Sequence, residues 1–305
     1  LASLTATTKR NVDGGSKQKW GLLYDPAKLA GVQVVLQALL GGSTLIAPGN
    51  CGIEQAVDFM AKHGVTALSA TPSCWRQLLL ARSITRLPLK QITLGGEIAD
   101  ERILHLLRAR FPSSRIVHIY ASTETGVAFS VRDGKPGFPR AYLTDGALSS
   151  VRLRITPEGR LLLRKTDPEL QPTGVPILSG EHEGFVDTGD LVEVRNDRVF
   201  FLGRASGLIN VGGIKVCPEK IEAVLCSHHQ VAAARAFGKA SSLLGNLVAA
   251  EVQVRDLAER NSIIAELNEL CRAQLTKYER PTTLNVVDRI NISNGKIARS
   301  VVNRG

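Results

Sequence analysis

From Leu29 to about Ala121 the chain alternates between runs with helical spacing and short apolar runs, and this constrains the fold more than any other feature. A helical run ending near Leu40 precedes TLIA, EQAVDFMAKHG precedes VTALSA, PSCWRQLLLA precedes QITL, and DERILHLLRARF precedes RIVHI. Helices alternating with short apolar strands require crossover connections, which predicts an α/β fold with a mainly parallel sheet. Such sheets take ligands in the crevice beyond the carboxyl ends of their strands. Two polar clusters fall there: Gly95-Gly96-Glu97 after QITL, and Tyr120-Ala121-Ser122-Thr123-Glu124-Thr125-Gly126 after RIVHI.

The pattern changes near Val131. VRLRITPEGRLLLRK alternates apolar and basic residues around a Pro-Glu-Gly turn, which predicts an antiparallel hairpin with one solvated face. EGFVDTGDLVEV and RVFFLG extend this small β element. Beyond the glycine-rich GRASGLINVGGIKV, helical EKIEAVLCSH, strands VAAARAFG and LVAAEVQV, helical IIAELNELCRAQL and strand TLNVV describe an α+β unit large enough to fold alone. The expected organisation is a large domain over 1–203, with the α/β sheet to about 130 and the β element over about 131–203. A hinge over 204–208 and a separate α+β carboxy-terminal domain over 209–305 follow.

The formal net charge of +10 raises nucleic acid as a partner, but aromatic residues are only 5% and no basic run interleaves with them. A small polyanion, or simply a solvated basic surface, fits better than nucleic acid. The five cysteines show no metal-ligand spacing, which predicts reduced thiols in a cytoplasmic protein. The uncharged stretch from Leu29 to Ile53 is interrupted by Gln33, Gln37, Gly41, Gly42, Pro48 and Asn50, so no membrane span is expected. Trp20 and Trp75 are expected to be packing residues, and the segment GGSKQK, Gly14 to Lys19, a solvated turn.

Five segments in order, LGGEIAD, YASTETG, VDTGDL, GRASGLINVGGIKVCPEKIE and NISNGKIAR, resemble those of adenylate-forming enzymes. That superfamily includes acyl-CoA synthetases, peptide-synthetase adenylation domains and luciferases. Each segment alone is a weak signal; their order is a strong one. The resemblance implies ATP-dependent activation of a small carboxylic acid as its acyl-adenylate, followed by transfer to the thiol of CoA or of a carrier's phosphopantetheine. It implies ATP, AMP and Mg²⁺ as ligands. Binding the nucleotide and offsetting charge at the α-phosphate carry most of such chemistry.

By resemblance, Gly95, Gly96 and Glu97, with Tyr120, Ala121 and Ser122, form the nucleotide site, where Tyr120 stacks on adenine. Thr123 bonds the phosphate and Glu124 helps to hold Mg²⁺ as the metal ligand. Asp190 takes the ribose hydroxyls and Arg204 the ribose and phosphate side. Lys296 bridges the carboxylate and the α-phosphate. Gly212 and Gly213 match a strand lining the thiol-acceptor path, and Gly207 stands at the hinge. Outside that company Asp190 is an ordinary turn residue, Arg204 a surface arginine and Lys296 a solvated lysine.

The chain departs from the family in places. Gly207 replaces the usual hinge Asp or Lys, and Ala121 a usual glycine. Lys28, or a neighbour, stands at an acid-side position that is usually aromatic or histidine; it either pairs with a second carboxylate or lies at the surface. The Ser/Thr/Gly-rich phosphate loop and the opening strands have no counterpart. That leaves a second expectation, a truncated, non-catalytic AMP- or partner-binding fragment. It also leaves an apolar edge that would seek a second copy or a missing amino-terminal piece.

Overall fold

The computed structural model describes residues 17–122, 126–167, 176–242, 244–255, 260–290, 292–293 and 296–297. The chain forms two compact units, Leu1–Thr188 with Val192–Phe200, and Gly189–Leu191 with Phe201–Gly305.

The first unit holds β1 (Lys19–Leu22), α1 (Leu29–Leu40), β2 (Thr44–Ile46), α2 (Ile53–Lys62), β3 (Ala67–Ala70), α3 (Pro72–Leu78), β4 (Gln91–Gly95), α4 (Glu101–Arg110), β5 (Arg115–Ser122) and β6 (Gly126–Val131). These strands form one six-stranded sheet in the order β2-β1-β3-β4-β5-β6. Pairing is parallel from β2 through β5, and β6 closes the edge antiparallel to β5. The fold class is therefore the expected α/β. The strand order reverses direction around β1, a strand the alternation did not predict. Lys19, expected in a solvated turn, opens it.

Local chemistry explains where the helices begin. Asp100 caps α4 by accepting from the Ile103 amide at 3.0 Å, with Glu101 in the first turn and Arg108 and Arg110 in the last, as the helix dipole favours. Ile103, Leu104 and Leu107 then face the sheet, each almost wholly buried. Thr71 caps α3 in the same way, accepting from the Cys74 amide. Trp75, fully buried, donates its indole N–H to the Thr93 carbonyl at 3.0 Å and pins α3 to β4. Helix α1, uncharged throughout, buries only Gly31, Val34 and Ala38 and leaves Leu39 and Leu40 exposed.

The β element has the strand order β7-β11-β10-β9-β8, with β7 (Phe138–Pro139), β8 (Val151–Ile155), β9 (Arg160–Lys165), β10 (Val186–Arg195) and β11 (Arg198–Arg204). Hairpin β8–β9 forms as predicted, pairing Leu153 with Leu163 and Arg152 with Arg164. Its basic pattern is less regular than expected. Lys165 shares the dry face with Leu161 and Leu163 and is only 6% exposed. On the opposite face Leu162 is buried too.

In the second unit β12 (Ile209–Val211), β13 (Ile214–Val216), β14 (Val231–Ser241), β15 (Gly245–Val254) and β16 (Thr283–Val287) share a sheet. Helices α5 (Pro218–Ser227) and α6 (Arg260–Gln274) cover it through Ile221, Leu225, Ile263 and Leu267. A short hairpin of β17 (Ile292–Ser293) and β18 (Lys296–Ile297) follows. This is the α+β unit expected from the sequence.

Candidate active site

The carboxyl ends of β4 and β5 lie side by side because the two strands pair in register to Gly95 opposite Ile119. That puts the Gly95–Glu97 turn next to Tyr120. Gly96 takes a φ of 80°, a left-handed conformation that favours glycine. The Glu97 carboxylate accepts from the Ser73 amide at 2.8 Å, at the start of α3. Around it sit the Cys74 thiol, pushed up to about 12 by burial with the Glu97 charge adding, and Tyr24. Burial raises the Tyr24 hydroxyl well above its usual range, while a hydrogen bond with Ser69 opposes the shift. Nothing in the sequence announces this Tyr24–Ser69–Cys74–Glu97 cluster, since its members come from the loop after β1, from β3, from α3 and from the turn after β4. Lys28 is exposed at the start of α1.

Tyr120, Ala121 and Ser122, expected just after the strand, belong to it: β5 continues through all three. Strand β6 runs antiparallel along them, with Ser122 opposite Gly126. The Tyr120 ring stacks on Phe129 with centroids 5.1 Å apart at 25°, and Phe129 in turn leans on Phe138 and Tyr142. One face of Tyr120 is therefore backed by an aromatic cluster. The pairing then slips: Tyr120 opposes Phe129 but Ala121 opposes Val127, leaving Ala128 as an extra residue in a bulge. Bulges of this kind re-aim side chains beside functional sites. Thr123 and Glu124 lie outside the described residues.

In the second unit Asp190 and Arg204 come together, with Nε and Oδ1 3.4 Å apart. Asp190 is 18% exposed and Arg204 56%, so a ligand has access to the pair. Gly189 has a φ of 76°, and a Cβ there would meet Arg204. Gly207 lies in the short turn Ala205–Gly207, where a Cβ would meet nothing within 4 Å. Gly212 and Gly213 are not strand residues, as the resemblance implied. They form the turn between β12 and β13, with φ of 58° and 90°, the signature of a tight hairpin that glycine suits. The Gly213 amide donates to Asn210 Oδ1 at 3.0 Å. Lys296 opens β18, its backbone paired with Ser293; its side chain lies outside the described part.

Among the described residues no three His, Cys, Asp or Glu side chains gather as a metal site, and no helix is long and apolar enough to cross a membrane. All five cysteines are free thiols.

A mainly parallel sheet with polar strand ends, a β element and an α+β unit defines the architecture of adenylate-forming enzymes. The anthranilate CoA ligase AuaEII, solved with anthranoyl-AMP, superposes with a TM-score of 0.77 at 16% identity, over 97% of this chain and 61% of that one. The o-succinylbenzoate CoA synthetase of Bacillus subtilis, solved with its acyl-adenylate, gives 0.67 at 20% identity over 100% of this chain and 64% of that one. Residues 2–163 match the AMP-binding enzyme family and residues 220–296 its C-terminal domain, and the chain belongs to that family. In sequence it is 23% identical to the 2-succinylbenzoate--CoA ligase of Listeria monocytogenes, over 93% of this chain and 61% of the relative. It is also 23% identical to a 4-coumarate--CoA ligase of Pinus taeda, over 87% of this chain and 53% of the relative. The chain thus spans about three fifths of the length of the bacterial ligase.

Proposed function

We propose that this chain supplies the nucleotide-binding sheet and the small mobile domain of an ATP-dependent acid–thiol ligase. The carboxylate attacks the α-phosphorus of ATP, an acyl–O–P bond forms, and the bond to pyrophosphate breaks. A thiol of CoA or of carrier phosphopantetheine then attacks the acyl carbonyl, and AMP leaves. The observation that carries this reading is the register of β4 and β5, which sets Gly96 and Glu97 beside a Tyr120 ring already backed by Phe129. A rigid ring with one covered face suits stacking on a base.

Asp190 would accept from both ribose hydroxyls, with Arg204 on the phosphate side. Thr123 would bond the phosphate, Glu124 would hold Mg²⁺, and Lys296 would offset charge at the α-phosphate. The small domain, 209–305, would turn about 204–208 between the half-reactions, bringing Gly212 and Gly213 to the thiol path. Gly207 supports this reading, because the conformation seen does not require glycine there. The named acids of the relatives are aromatic carboxylates, so that class is the first to test. A cytoplasmic setting fits the free thiols. The exposed Leu39 and Leu40 and the edge strand β2 offer a surface for a second copy.

The test is mass spectrometry of acyl-adenylates after incubation with ATP, Mg²⁺ and aromatic acids, beside Lys296→Ala, together with AMP titration of wild type and Asp190→Ala. An adenylate that disappears in Lys296→Ala, and weaker AMP binding by Asp190→Ala, are expected. Equal AMP affinity in the Asp190 variant would sink the site. A second reading is AMP binding without chemistry, motivated by the chain's span of 61% of the Listeria relative. It predicts bound AMP and no adenylate with any acid.

A further inference from the structure

Lys165 is a cation in a core position. Along β9 it follows Leu161 and Leu163 on the inward face, both fully buried, and opposite it on β8 stands buried Val151. An ammonium there is unfavourable unless its donors find acceptors. One lies on β6, the strand paired with the nucleotide motif: Lys165 Nζ donates to the Val127 carbonyl at 3.0 Å. Beside it, Ser150 Oγ donates to the Ala128 carbonyl at 3.4 Å. Val127 and Ala128 are the two residues at the slip in β5–β6 pairing, on a strand at the edge of the sheet.

The bulge decides which way the strand end points. Without it Ala121 would oppose Ala128, and Val127 and Gly126 would exchange faces, since side chains alternate with a period of two. An edge strand has no neighbour on its outer side to hold such an irregular register. Here two side chains from the β element, one of them charged, bond the Val127 and Ala128 carbonyls where the register changes. A charge-assisted N–H···O bond is the stronger of the two.

We propose that Lys165 is a positioning residue for the nucleotide site. Its ammonium, with Ser150, holds the bulge at Val127–Ala128 and so aims Tyr120 to Ser122, the strand end leading into Thr123 and Glu124. It acts through the backbone of β6 and not by touching the nucleotide. The proposal rests on the AMP-binding reading given above.

The experiment compares wild type, Lys165→Met, which keeps the length and burial without the charge, Lys165→Arg and Ser150→Ala. Amide hydrogen exchange is followed without nucleotide, and AMP is titrated under conditions where every variant is folded by near-UV circular dichroism. In Lys165→Met, exchange should quicken over residues 120–128 and not in α2 or β14–β15. AMP affinity should fall about tenfold to a hundredfold, the scale of one lost hydrogen bond to a charged group. Lys165→Arg should lie between, and Ser150→Ala should show a smaller change in the same segment.

Wild-type AMP affinity in Lys165→Met would overturn the proposal while leaving the AMP-binding reading intact. So would exchange that quickens evenly along the chain, because that is the mark of a merely structural lysine. If wild type itself binds no AMP, the functional reading fails, and the nucleotide part of this proposal fails with it. The exchange pattern still reports separately whether Lys165 holds the bulge.

Discussion

Replacing Tyr120 by leucine separates a stacking platform from a packing residue. The ring does two things in this reading. Its inner face rests on Phe129, 5.1 Å away between centroids, and its outer face is offered to adenine. An aromatic pair is worth about 0.5–1.5 kcal/mol beyond burial, so Tyr120→Leu should lower unfolding stability by about 1 kcal/mol. Base stacking is worth about 1–3 kcal/mol, so AMP affinity should fall about fivefold to 150-fold. Tyr120→Phe keeps both ring contacts and should stay within a few-fold of wild type on both measures. Urea unfolding followed by tryptophan fluorescence gives the first quantity, since Trp20 and Trp75 are both buried in the same unit; calorimetric titration gives the second. The reasoning is refuted if Tyr120→Leu binds AMP as wild type does. It is equally refuted if Tyr120→Phe loses as much as leucine, which would assign the affinity to the hydroxyl.

Three further perturbations follow from single positions. Gly207→Ala should raise stability by about 0.5 kcal/mol, because a Cβ meets nothing within 4 Å and the unfolded chain loses freedom. If Gly207 is the hinge, the thioester step should slow while adenylate formation is kept; a thioester rate equal to wild type would remove the hinge. Gly203→Ala should cost about 2 kcal/mol, because its Cβ would collide with the Glu219 carboxylate and the Cys217 thiol at a φ of 148°; denaturation midpoints equal to wild type would contradict the packing described. His118 sets a pH dependence. Burial lowers its folded pKa, Arg198 adding, against the opposing Lys135 carbonyl and Asp133. Between that lowered value and about 6.5 the unfolded chain binds more protons, so stability should decline as pH falls from 7 toward 5. His118→Gln should flatten that slope in urea titrations, and an unchanged slope would show that another group is responsible.

Much of the fold was legible because helix and strand patterns are local. The stripe Ile103, Leu104 and Leu107 behind an Asp100 cap announces α4 without any partner, and the Pro-Glu-Gly turn announces β8–β9. Strand β1 was not legible, because KWGL is too short to show a period; its neighbours β2 and β3 define it. The glycines at 212 and 213 were placed in a strand by resemblance, whereas their positive φ values belong to a turn. Lys165 left one signal, its two-residue phase with Leu161 and Leu163, which was hidden beside Arg164 in a run read as alternating apolar and solvated basic residues.

By itself the sequence determined the class of fold, the α+β tail and the ordered motifs, because side-chain periodicity and cap chemistry act over a few residues. Only the tertiary structure decided how β5 and β6 slip past one another, that Tyr120 rests on Phe129, and that Glu97 meets Ser73 and Cys74. Strand register and the burial of a charge depend on partners distant in the chain. In β9, whether a lysine is solvated or seated in a core is settled by the carbonyl of Val127, 38 residues away.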